Sequence, residues 1–120
     1  MSNEEVDRII NKSEKLTALH KFCTSVLKPS DFNLINKKFN SNSRHSGIGY
    51  HYQSELSFVE VRDFYIRYFE AENWERVNLW NESEVFHSGL INYKKDKKTI
   101  AIEHVGFPDV NYAFDCVQEY

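Results

Sequence analysis

An apolar leader, a membrane-length hydrophobic run and an excess of basic charge are all missing from this chain. The N-terminus, Met1-Ser-Asn-Glu-Glu-Val-Asp-Arg, has no apolar stretch of the secretory type, so a cytoplasmic location is expected. No run approaches the roughly 18 apolar residues of a spanning helix, and no membrane association is expected. Ser at position 2 breaks the myristoylation pattern, and Val-Gln-Glu-Tyr is no prenylation box. A net charge of −3 argues against a nucleic-acid binder, which would carry a basic excess. With four Gly and two Pro the chain is neither collagen-like nor low in complexity. Gly47-Ile-Gly49 lacks the third glycine and the closely following helix of a phosphate-cradling loop, so no nucleotide cofactor is expected. Cysteine is scarce too. Cys23 and Cys116 lie far apart, outside any Cys-x-x-Cys pair and in apolar contexts, and read as buried free thiols, a single long-range disulfide being the alternative.

What the chain does have is core. Its 120 residues make one domain, 1–120, able to bury roughly two-thirds of the surface it exposes when unfolded. Nine Phe, seven Tyr and two Trp exclude disorder as the default state.

Ser2 with Glu5 three residues on is a capping box, and apolar residues then recur at helical spacing, Val6, Ile9, Ile10 and Leu16, Leu19, Cys23, Val26. Ser13 interrupts the stripe, leaving one long helix or two shorter ones before Pro29. Phe32 to Phe39 and Ile48 to Gln53 read as strands flanking a polar loop at 40–47. The second strand alternates, with Ile48, Tyr50 and Tyr52 on one face and Gly49, His51 and Gln53 on the other. Ser57 and Glu60 form another capping box, opening a helix with the stripe Val61, Phe64, Tyr65, Tyr68, Phe69. Beyond Asn73 the period falls to two, giving strands over 74–80, 85–94, 99–105 and 110–117, with a basic hairpin turn at Lys94–Lys98. Consecutive strands imply antiparallel pairing. The expected fold is α+β, an antiparallel sheet of about five to six strands with two helices in the order α-β-β-α-β-β-β-β.

Tyr52-Gln-Ser-Glu-Leu-Ser-Phe-Val-Glu-Val-Arg-Asp-Phe-Tyr, then Trp74, Tyr93-Lys-Lys and Ile100-Ala-Ile resemble a loose group of small, mostly uncharacterised bacterial α+β proteins. In that group a strand ending Tyr-x-Ser leads into a helix carrying Val-x-x-Phe-Tyr, and a Trp opens an antiparallel meander. The resemblance spans about residues 50 to 103. It implies a helix lying on an antiparallel sheet and no catalytic residue; members often follow a lipoprotein leader.

Candidate chemistry is thin. Ser25-Val-Leu-Lys28 fits the Ser-x-x-Lys nucleophile pattern, without its partner motifs. No His stands at i+3 or i+4 from another ligand in a metal-binding pattern, so no metal is expected. His20 falls on the apolar helix stripe and His45 in the polar loop, while His51 and His104 fall on opposite sheet faces. Glu103 and His104 are strand neighbours and point apart, which leaves His87 with Glu103 or Asp115, and His104 with Asp115, as the remaining acid–base pairs. Charge is more informative. Residues 11–44 carry seven basic side chains against two acidic ones, and residues 55–84 eight acidic against three basic. The two segments either pair within the fold or leave an acidic face that steers a basic partner. Trp74 and Trp80, at even spacing, should share a face, and Trp80 with Glu82 and Glu84 joins an aromatic to carboxylates. The expectation is a non-enzymatic protein-binding domain of the immunity type, neutralising a basic bacterial toxin domain through Glu70, Glu72, Glu75, Trp80, Glu82 and Glu84. The alternative is a small-ligand-binding or structural module related to bacterial envelope domains. A small hydrolase using His87 or His104 ranks third.

Overall fold

The computed structural model describes residues 1–80 and 89–120, with Trp80 described by its backbone alone. Within them are three helices and six strands: α1 (Asn3–Lys12), α2 (Glu14–Ser25), β1 (Asn33–Ser41), β2 (His45–Gln53), α3 (Phe58–Ala71), β3 (Glu75–Trp80), β4 (Gly89–Lys95), β5 (Lys98–His104) and β6 (Tyr112–Glu119). The class is α+β, as the sequence implies. The helix count is three rather than two, because Ser13 ends one helix and starts the next. Its backbone N–H bonds to the Ile10 carbonyl, and its hydroxyl accepts from the Leu16 N–H at 3.2 Å. Both expected capping boxes form, Ser2 accepting from the Glu5 N–H and Ser57 from that of Glu60.

The strands form one antiparallel sheet in the order β1-β2-β6-β5-β4-β3. Helix α3 carries the chain from β2 to the far edge, and the meander β3 to β6 returns until β6 lies beside β2. The expected polar loop at 40–47 is mostly strand. Its turn shrinks to residues 42–44, where the Asn42 side-chain oxygen accepts from the Arg44 and His45 N–H groups. A second joint sets the start of α3. The Asn111 carboxamide bonds to the Ser54 N–H and carbonyl, the Asp31 carboxylate accepts from the Ser54 hydroxyl and Glu55 N–H, and the Tyr112 hydroxyl donates to Leu56.

All three helices lie on one face of the sheet. Ile48, Tyr50 and Tyr52 of β2, Phe114 of β6, Ile100 of β5 and Tyr93 of β4 point towards them and are buried. Against this floor α1 packs on β1, α2 on β2 and β6, and α3 on β4, with Val61, Tyr65 and Phe69 fully buried. The other face carries no helix. Cross-strand register lays out on it the row Lys38, Gly49, Asp115, Ala101, Asn92, Asn78.

The thiol expectation is corrected in one respect. Cys23 and Cys116 are both fully buried, but they are joined as a disulfide, with Cα atoms 6.2 Å apart. The topology supplies the reason: α2 lies across β6, which brings the third turn of the helix onto the centre of that strand.

Candidate functional site

Helix α3 ends in a sharp corner. Glu72 caps it, Asn73 takes a left-handed conformation (φ 62°), and the Trp74 N–H bonds back to the Phe69 carbonyl, aiming the chain into edge strand β3. Glu70, Glu72 and Glu75 all stand exposed at this corner. Their environments differ. Glu70 accepts from Arg76 Nη2 at 2.8 Å and lies 3.5 Å from the Tyr93 hydroxyl, which itself accepts from Arg76 Nε at 3.1 Å. The Glu70 charge is therefore partly met within the chain, though an exposed pair of this kind contributes little stability. The Glu72 backbone is engaged at both ends, its N–H donating to the Tyr68 carbonyl and its own carbonyl accepting from Lys95 Nζ at 2.7 Å. Glu75 sits in register with Lys94. Trp80 closes β3 opposite Leu90, while Glu82 and Glu84 lie outside the described residues.

The shared face expected for the two tryptophans does not follow. A bulge between Arg76 and Asn78 breaks the alternation, and Trp74 precedes the strand, buried with its ring 5.2 Å from that of Phe69. The two charged segments do not pair with each other in the described ion pairs, which are Lys37–Asp7, Arg62–Asp63 and Arg76–Glu70.

The sheet edges are unequal. On β1 the Asn3 carboxamide acts as a surrogate strand, donating to the Ile35 carbonyl and accepting from the Lys37 N–H, and the Lys37–Asp7 ion pair holds α1 alongside. On β3, Glu75 to Asn78 are exposed, Val77 by 48%, and no described group covers the outer edge. The acidic corner thus runs straight into a strand edge that no described residue covers.

Two of the four described histidines, His20 and His104, serve packing. His20 Nδ1 lies 2.7 Å from the Tyr50 hydroxyl, as expected of a core-edge residue; burial and the nearby Lys37 lower its pKa, against the pull of Asp7. His104 stacks on Phe58 and Tyr112 on the helix side, away from Asp115, so that acid–base pair is not formed. His45 opens β2 instead of sitting in a loop, and His87 lies outside the described residues. Ser25 and Lys28 both donate to backbone carbonyls, of Phe22 and Cys23, so the Ser-x-x-Lys pattern is not a poised nucleophile. Lys28 is pulled down to about 8 by burial, its ammonium 4.7 Å from the centre of the Phe114 ring. No metal-holding cluster of His, Cys, Asp or Glu occurs among the described residues.

Two features escape the sequence reading. On the helix-free face the bare backbone of Gly49 lets the side chains of Lys38 and Asp115 lean over β2 from either side: a Cβ there would fall 2.7 Å from Asp115 Oδ1 and 3.2 Å from Lys38 Cε. Burial raises the Asp115 pKa, with Lys38 and His51 opposing the shift. An open cleft of about 360 Å³ runs beside them. The second feature is the seam between α2 and α3. There Phe22 and Trp74 stack at 6.0 Å beside a cleft of about 300 Å³, and a second cleft of about 420 Å³ continues along α2 against Gln118 and Tyr120; Phe22 and Lys98 line both. Neither feature has a local signature, because each depends on which strands and helices become neighbours.

No family model, curated protein or solved structure matches this chain.

Proposed function

We propose that this chain is a non-enzymatic protein-binding domain, most concretely an immunity-type inhibitor that neutralises a basic bacterial toxin domain. The observation that carries the reading is the α3–β3 corner, where exposed carboxylates lead directly into a strand edge left uncovered by the described residues. Glu72 and Glu75 supply negative charge that speeds encounter with a basic surface, the Glu70–Arg76–Tyr93 network holds the corner in shape, and Trp80 is the aromatic anchor. Glu82 and Glu84 extend the same acidic run in sequence. Such an inhibitor works by occupying its target and needs neither cofactor nor metal. Reversing the charge of Glu72, Glu75, Glu82 and Glu84 should slow association with the partner by at least about tenfold at low salt, and much less at high salt. An unchanged rate at low salt would remove the acidic-face reading.

One observation favours the second reading, a ligand-binding or structural module of the bacterial envelope type. A buried disulfide persists in oxidising compartments and is rare where thiols are kept reduced, which sits uneasily with the cytoplasmic location. The resemblance of residues 50 to 103 to small bacterial α+β proteins agrees with either reading. No described helix is long and apolar enough to cross a membrane.

A further inference from the structure

The seam between α2 and α3 has the features of a ligand site. The helices pack on different strands, α2 on β2 and β6 and α3 on β4, and the gap between them opens at the C-terminal end of α2. The floor is apolar and aromatic, built from Leu19, Phe22, Val26 and Trp74; Leu19 and Val26 are buried and Trp74 is 9% exposed. The two clefts, about 300 and 420 Å³, lie on either side of Phe22 and Lys98, which line both, and each lies within the range of small-molecule sites.

The cations along this seam sit on ring faces. Lys98 Nζ lies 5.2 Å from the centroid of Phe22 and Lys15 Nζ 4.2 Å from that of Tyr120. Neither takes part in a described ion pair. A ring face is a weaker partner for an ammonium than a carboxylate with charge-assisted hydrogen bonds. An entering anion would therefore draw Lys98 off Phe22, and the vacated ring face would receive the apolar body behind the anionic head. The far cleft balances Lys95 and Lys98 against Glu72 and Asp96, whereas the other sets Lys15 and Lys98 against Glu14 alone, so the negative charge belongs at the Lys15–Lys98 end.

We infer that this seam binds a free single-chain amphiphilic monoanion, a fatty-acid-like carboxylate, with its head between Lys15 and Lys98 and its chain across Phe22 towards Trp74. The far end of the site shares Glu72, Trp74 and Lys95 with the acidic corner, whereas its head position at Lys15 and Lys98 shares nothing with it, so the assignment is tested independently of the proposed protein-binding function.

Titration calorimetry with laurate below its critical micelle concentration tests it, with 1-dodecanol as the uncharged control. Saturable one-to-one laurate binding is expected. The double variant Lys15→Gln/Lys98→Gln should weaken laurate about tenfold and leave dodecanol within about twofold. Ala18→Trp, which fills the cleft from an exposed helix position, should abolish binding of both while the circular dichroism stays unchanged. No laurate binding by the wild-type protein, or laurate binding untouched by both variants, would overturn the assignment. So would attachment to anionic vesicles without binding of the monomeric amphiphile.

Discussion

Reduction of the Cys23–Cys116 disulfide is the most informative perturbation of the fold. The bond closes a loop of 93 residues in sequence, tying α2 to β6. The loop-closure relation assigns such a cross-link about 4.6 kcal/mol, through entropy removed from the unfolded chain. A domain of this size has a net stability of about 5–15 kcal/mol, so the bond supplies a large share of it. Urea unfolding followed by circular dichroism, with and without a phosphine reductant, reads the difference. At a slope of about 2 kcal/mol per molar urea, the midpoint should fall by roughly 2 M on reduction, and the Cys23→Ala/Cys116→Ala variant should match the reduced protein. Superimposable curves would refute this reasoning. So would full alkylation of both cysteines in denatured, unreduced protein.

Other consequences can be checked on the same material. Lys28 has a folded-state pKa of about 8 against 10.5 unfolded, so between those values the unfolded chain holds the extra proton and stability rises with pH. Lys28→Met should flatten that rise, measured from pH 7 to 9.5, and stabilise the protein at pH 7 by about 1 kcal/mol once screening by the water that still reaches the ammonium is allowed for. Gly89→Ala would drive a Cβ into the Phe58 ring and should cost about 1–3 kcal/mol in urea unfolding; a neutral result would mean that the β4–α3 contact is looser than described. Ser13→Ala removes the hydroxyl that starts α2 and should cost about 1 kcal/mol, whereas a cost near zero would indicate that α1 and α2 merge.

Much of the fold is legible in local pattern. Both capping boxes, the α3 stripe and the alternation of β2 follow from nearest-neighbour chemistry, which the structure keeps. Ser13 was ambiguous because a serine either tolerates a helix interior or caps a helix; packing of α1 on β1 and α2 on β2 decides the matter. The Trp parity failed because one bulged residue, Val77, cancels an even spacing and carries no local signature of its own. The disulfide needed knowledge of which strand α2 crosses, 93 residues away in sequence. Of the candidate site, Glu70, Glu72 and Glu75 could be placed on the surface from sequence. The pairing of Glu70 with Arg76 and the Asn3 clamp on β1 arise only from assembly.

The protein-binding account is tested most directly by capture on paired columns. Wild-type protein and a Glu72→Arg/Glu75→Arg variant would be immobilised side by side and exposed to source lysate at low and then high salt. The account predicts one stoichiometric protein held by the wild type at low salt, released at high salt and absent from the variant column. A protein retained equally by both columns, or none retained by either, would contradict it.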